Sequence, residues 1–532
     1  MPSTVSKNEW RWALFWAAII VGLSSLPYLL AWRLAPEDVQ YTGLLINHFD
    51  GASYYAKMRQ GMRGDWLFHL AFTPEPHDGV FVYTFYLALG HLARVLHLPI
   101  PLVYHLARIA TGLILLLVAY RFIAVFFRHV QARRLTFLLL GLSAGLGWLF
   151  GPLDLLTADL WVVEGFTFLS IFTNAHFPLM TGLMLLIFLN ILETLAIDFR
   201  RVKKKGWLRN LRASRLLVAY ALGLLLALVQ PLAIPVTMSV LIVYLATLTW
   251  QSRQLPWNAI LVTVAAAAGA APFLLYDLYV YLTNPAIASW SAQNVTPSLP
   301  PWSYALGYGL VLLLALVGVW IAARRRTPTD LFLLAWAGTV VVLLYVPFAL
   351  QRRFITGLHV PLSLLAAIAL VQAIRPRVRP SRRGLATGLI IGFAALTNLF
   401  VPLVSVVGVA QGQPPLVMSQ DEADACAWLR ENTAWTDTVL APATAGEFIP
   451  AWAGNRVVYG HPFETIDAKA KKESVDRFYN PLTAETERRA LLAQYGVCYV
   501  LALETSFNAQ NLDLLPVWTG KEATLFHVEK KP

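Results

Sequence analysis

The chain has 532 residues and is 57% hydrophobic but only 14% charged, against roughly 25% charged for an ordinary soluble domain. A soluble fold, disorder and fibrous repeats are excluded, because apolar runs of about 20 residues, each able to cross a hydrocarbon core of roughly 30 Å, recur along the chain. The formal net charge of +12 sits between those runs and points to a membrane, not to nucleic acid. Two cysteines, Cys426 and Cys498, are too few for a disulfide framework or a cysteine-built metal site, although one bridge between them stays open.

In chain order, Met1 to Trp10 lacks the pattern of a removed leader, so the run from Trp12 reads as a retained first span. Spans are then expected near 12–32, 102–126, 135–151, 176–197, 216–230, 232–249, 257–276, 304–322, 330–349, 355–374 and 385–409, about eleven in all. Four basic loops fall on one side: Arg128, Arg133 and Arg134; the run Arg200, Arg201, Lys203, Lys204, Lys205, Arg209, Arg212 and Arg215; Arg324 to Arg326; and Arg375 to Arg383. Positive charge stays inside, so the expected topology is a multi-pass plasma-membrane protein with a cytoplasmic N-terminus and an external tail. Val80 to Leu98 is apolar enough to span, but crossing there would turn every later basic loop outward. It is expected to be an interfacial or re-entrant helix within a first external loop of about 34–101.

After Gly412 acidic and polar residues enter and no later run can span. The expected organisation is a membrane domain over 1–411 and an external α/β domain over 412–532. In the tail, Asp421 to Glu431 and Thr483 to Tyr495 read as helices, and Thr438 to Ala441, Arg456 to Tyr459 and Val497 to Ala502 as strands.

The long first loop is where chemistry is expected, since ordered loops of this length are usually functional. It carries Asn47-His48-Phe49-Asp50-Gly51 just before a helix-like stretch, Ala52 to Met62. Asp50 is either the N-cap of that helix or a general base for an acceptor hydroxyl or amine. Glu75, His77 and Asp78 have metal-ligand or acceptor-binding chemistry, but Pro74, Pro76 and Gly79 among them favour an ordinary turn. After the third expected span come Asp154, Asp159 and Glu164. Asp154 emerges at the depth expected for Asp50, so the two could converge on one acceptor or one divalent cation. His176 is a helix-start residue, an interfacial hydrogen bonder or a site residue. Arg352 and Arg353 stand on the external side of a span boundary, against the charge rule. They either snorkel to headgroups or use their forked guanidinium groups to hold a phosphate.

These features together resemble the GT-C superfamily of membrane glycosyltransferases, in particular bacterial relatives of protein O-mannosyltransferases and of the aminoarabinose transferase. The resemblance lies in Asp50 soon after span one, Tyr104-His105-Leu106-Ala107-Arg108 entering span two, Asp154 after span three, and a C-terminal domain. It implies a helical membrane domain with interfacial helices in the first loop, a polyprenyl-phosphate-linked sugar as donor, inversion at the anomeric carbon, and Asp50 as base. The expected function is therefore transfer of a sugar from a polyprenyl-phosphate carrier to a lipid, glycan or protein acceptor. In that reading Asp50 and Asp154 act on the acceptor, or Asp154 on a metal, and Arg352 and Arg353 on the donor phosphate. No cofactor is certain, and a divalent metal stays open. The alternatives are a transporter or flippase for a lipid-linked solute, which should place ionisable residues mid-span, and a non-catalytic scaffold. The sequence carries nothing on oligomeric state, sugar or acceptor.

Overall fold

The computed structural model describes residues 4–201, 212–503 and 512–529. Lys203, Lys204, Lys205 and Arg209 of the second basic loop lie outside them. All eleven expected stretches are built from helix. Among the described residues, eight helical runs are long and apolar enough to cross a bilayer: Lys7–Leu34 (α1), Ile100–Phe126, Val130–Leu153, His176–Leu195, Ala233–Ser252, Trp257–Thr283, Pro301–Arg325 and Gln351–Arg377. A ninth is formed if Pro380–Ala394 and Leu396–Ala410, bent by 42°, act as one span. The remaining two stretches, Ala213–Val229 and Pro328–Leu343, are apolar helices of 17 and 16 residues.

The chain divides into two compact units: Met1–Pro27, His105–Tyr276 and Thr296–Val404 form the first; Tyr28–Tyr104, Asp277–Val295 and Ser405–Pro532 form the second. The first unit is a helical bundle. Its centre is aromatic, with Trp336 fully buried 4.8 Å from Phe188 and Phe332 5.1 Å from Tyr244. Helices approach closely where glycine removes the side chain: a Cβ on Gly223 would lie 1.9 Å from the carbonyl oxygen of Ala266, and one on Gly318 2.0 Å from that of Leu365. Small residues are what lets apolar helices pack without a hydrophobic driving force between them. Arg108, of the stretch entering the second span, is 1% exposed. Its guanidinium donates to the carbonyl oxygens of Ser24 and Ile171 and to the hydroxyls of Ser24 and Ser25, so it ties helices together.

The second unit joins the first loop to the tail. Strand β1 (Val39–Tyr41) pairs antiparallel with β2 (Val417–Ser419). The helix His48–Arg63 (α2) packs on Thr84–Leu96 (α3), and a Cβ on Gly61 would meet the carbonyl oxygen of Leu87 at 2.0 Å. With 13 residues, α3 is about 20 Å long, too short to cross a bilayer core. The tail supplies a five-stranded sheet in the order β4-β3-β5-β7-β6, from β3 (Thr438–Leu440), β4 (Arg456–Val457), β5 (Val497–Ala502), β6 (Leu514–Thr519) and β7 (Thr524–Val528). β3, β4 and β5 run parallel, whereas β7 lies between β5 and β6 and pairs antiparallel with both. Helices Gln420–Asn432 and Glu485–Gln494 stand where the sequence places them, while Ala468–Tyr479, β6 and β7 were not expected. Ser419 and Glu422 close a capping box at the first of these helices, which fixes where it starts.

Candidate active site

In the second unit, Asp50 lies in the first turn of α2 and not at its cap. The N-cap is Asn47, left-handed at φ 49°, and no side chain caps the helix. An acid in a first turn suits the helix dipole, but Asp50 is not consumed by it: among the described residues its carboxylate makes no ion pair or side-chain hydrogen bond. Asp50, Ser53 and Lys57 are spaced three and four apart and so share one helix face.

That face meets residues of the tail. Lys57, 1% exposed, donates to Glu464 Oε1 at 2.7 Å and to the Ser53 hydroxyl, and the ring of Tyr83 lies 4.2 Å from its ammonium. Ser53 also donates to Glu464 at 2.6 Å. Burial opposes ionisation of Glu464, but the Lys57 ammonium outweighs it and holds the carboxyl below the usual range. At the start of α2, His48 Nδ1 shares a 2.6 Å hydrogen bond with buried Glu447, whose carboxyl is pushed up by burial against the pull of His48. Glu447 follows β3, and His461 and Glu464 follow β4. The carboxyl ends of parallel strands are where open α/β sheets present ligand-binding groups.

The other residues expected from the first loop do not gather here. Glu75 is bound to Lys471 and to the Thr73 hydroxyl. Burial would raise its carboxyl, but those bonds hold it below the usual range. His77 is a loop clasp: its Nε2 accepts from the Leu70 N–H at 2.9 Å and its Nδ1 donates to the Asp78 carbonyl at 2.9 Å. Both ring nitrogens are therefore used, and burial keeps the imidazole below its ordinary pKa. Asp78 also accepts, through its carbonyl, from the Asn284 amide at 3.3 Å. Among the described residues no group of three or more His, Cys, Asp or Glu side chains is placed to hold a metal ion.

The first unit holds the remaining expected residues. Asp154 is exposed and left-handed at φ 58°, ending a short 3-10 turn. The buried acids of that segment are instead Asp159 and Glu164, and Asp159 accepts from the N–H groups of Gly145 and Gly147, both at 3.0 Å, and from the Thr157 hydroxyl at 2.6 Å. His176 is 6% exposed and opens the helix His176–Arg201 against the Phe177 ring. Arg352 and Arg353 sit in a 3-10 turn, Gln351–Ile355, pinned by backbone bonds to Thr296. The Arg352 guanidinium lies 4.5 Å above the Trp161 ring, and its Nε is buried without a partner among the described residues. The Arg353 carbonyl accepts from the Thr356 hydroxyl at 2.8 Å, which closes the turn.

No family model matches the sequence, and no curated protein matches it. Solved structures do. ArnT from Cupriavidus metallidurans in the apo state is 12% identical, with a TM-score of 0.55 over 96% of this chain and 97% of that one. The same protein bound to undecaprenyl phosphate gives 13%, 0.52, 96% and 97%. The oligosaccharyltransferase AglB from Archaeoglobus fulgidus, in complex with an inhibitory peptide and a dolichol-phosphate, gives 14%, 0.52, 91% and 69%. The chain has the GT-C fold. The GT-C architecture expected from the order of spans, long first loop and C-terminal α/β region is met, and the likeness to ArnT takes in helical part and tail alike. Residues the sequence reading passed over are Ser53, Lys57, Glu447, His461 and Glu464. The three-and-four spacing on α2 was the available signal for the first two; the tail residues had none.

Proposed function

We propose that the chain is an integral-membrane glycosyltransferase that moves a sugar from a polyprenyl-phosphate carrier to a lipid, glycan or protein acceptor on the external face, inverting the anomeric carbon. The observation that carries the reading is the Asp50 carboxylate, left unpartnered on a helix whose other polar side chains are bonded, in a GT-C fold. The likeness to ArnT bound to undecaprenyl phosphate and to AglB with a dolichol-phosphate supports the carrier class.

In this reading the acceptor oxygen or nitrogen attacks the anomeric carbon while the bond to the carrier phosphate breaks on the opposite face. Asp50 takes the acceptor proton, and the carrier leaves as its phosphate. Charge develops on that leaving group, and a fixed guanidinium stabilises it best, the role assigned to Arg352 with Arg353 beside it. Asp154, exposed, is assigned to the acceptor.

The test is a proteoliposome assay with undecaprenyl-phosphate-linked sugars. Asp50→Asn should lower transfer at least a hundredfold while carrier binding and apparent Tm stay unchanged. Transfer at wild-type rate in that variant would refute the assignment of Asp50. Movement of the intact carrier across the bilayer without cleavage would replace the reading with a transporter.

A further inference from the structure

His461 is bonded on one side only. Its Nδ1 accepts from the backbone N–H groups of Phe463 and Glu464, both at 3.0 Å, which leaves the ring proton on Nε2. Burial holds the imidazole below its ordinary pKa, so the ring is neutral at pH 7. Nε2 is buried without a partner among the described residues, and the residue is 2% exposed. A buried donor left unmade bears its full desolvation cost, and such groups in native proteins call for an explanation.

The surroundings narrow what the donor serves. The ring packs 5.6 Å from Phe49 and 5.3 Å from Phe72, and Phe49 is the residue before Asp50. Four charged or titratable groups act on the imidazole: Glu464, Asp50, Lys57 and His48. Glu464 is already bonded to Lys57 and Ser53, and His48 to Glu447. Lys57 has no acceptor to offer. Asp50 is the acceptor left without a bond.

We propose that His461 is a positioning residue for Asp50, its Nε2–H donating to one carboxylate oxygen and turning the other toward the acceptor. The proposal rests on Asp50 as the base. The His461 proton stays on Nε2 throughout; the acceptor proton goes to the other Asp50 oxygen. The bond would select one Asp50 rotamer, and an oriented base loses little time in unproductive poses.

The experiment uses the full chain in nanodiscs and two variants. In His461→Asn the side-chain carbonyl stands where Nδ1 stood and keeps the acceptor for the two backbone N–H groups, but the Nε2 donor is gone. His461→Ala loses both. For His461→Asn the expected result is an apparent Tm and carrier binding like wild type, acceptor KM within about twofold, and kcat lower by about 10- to 100-fold, the kinetic equivalent of one hydrogen bond to a charged group. A wild-type kcat in His461→Asn overturns the proposal, as does an equal fall in Tm for both variants. A second readout does not depend on transfer: with 15N-labelled histidine, the His461 signals, assigned by their loss in His461→Asn, should show the Nε2–H tautomer and shift in Asp50→Asn. The opposite tautomer, or signals indifferent to Asp50, also overturns it. A shifted signal in a protein that transfers no sugar supports the pairing and tells against the glycosyltransferase reading alone.

Discussion

Glu464→Gln is the most informative single change for stability. It leaves the Lys57 ammonium, 1% exposed, facing a neutral amide and three aromatic rings between 4.2 and 5.8 Å. The rings soften the loss but do not carry a counter-charge. Removing one partner of a buried ion pair costs about 3–5 kcal/mol, and at roughly 2–4 °C per kcal/mol for a unit of this size the apparent Tm should fall by roughly 6–20 °C. The assay is intrinsic-fluorescence melting of purified protein in detergent. Lys57→Met combined with Glu464→Gln should recover at least half of the loss, because the stranded charge is then gone. pH supplies an independent check. The Glu464 pKa is lower in the folded chain than in the unfolded one, so its stabilisation is full above the unfolded value of about 4.3 and is lost as pH falls below it. Wild type should therefore lose Tm more steeply than Glu464→Gln below about pH 4. A Glu464→Gln protein that melts within about 2 °C of wild type, with the same acid limb, would refute the pairing argument.

Arg352→Lys keeps the charge but loses the guanidinium contact with the Trp161 ring and the forked donors, so transfer should fall more than about tenfold at unchanged Tm; equal rates would show that any cation serves. Gly61→Ala should destabilise by roughly 1–3 kcal/mol, since its Cβ meets a backbone oxygen that cannot swing aside. Gly388→Ala, with nothing within 4 Å of its Cβ, is the matched control and should be neutral or stabilising in the same melting assay.

The sequence made the helical runs legible because each needs only a local count of apolar residues, and the tail strands near 438, 456 and 497 for the same reason. Asp50 was legible as an acid in an ordered loop, though its place within the helix was not, since Asn47 caps without a side-chain bond. What local pattern cannot reach is pairing over distance: Lys57 and Glu464 stand 407 positions apart, His48 and Glu447 399. Nor does composition separate a ligand set from a bonded turn. Glu75 and His77 have the right atoms, but Lys471 and a backbone N–H already occupy them. Arg352 shows the same limit in reverse, because nothing local reveals that an indole from residue 161 lies beneath it.

The pairing of β1 with β2 and of α2 with the tail also sets an order of events during synthesis. At about 5–20 residues per second, the ribosome reaches Glu464 some 20–80 s after it has made Lys57. Throughout that interval Lys57 lacks the Glu464 carboxylate that it pairs with, and β1 has no partner strand. The nascent first loop must wait, held by the membrane machinery or by its own packing on α3, until the last part of the chain arrives to close it. A fold assembled from such widely separated segments is thus completed in one late step, and a chain cut short before residue 464 has the helix α2 without the Lys57–Glu464 pair.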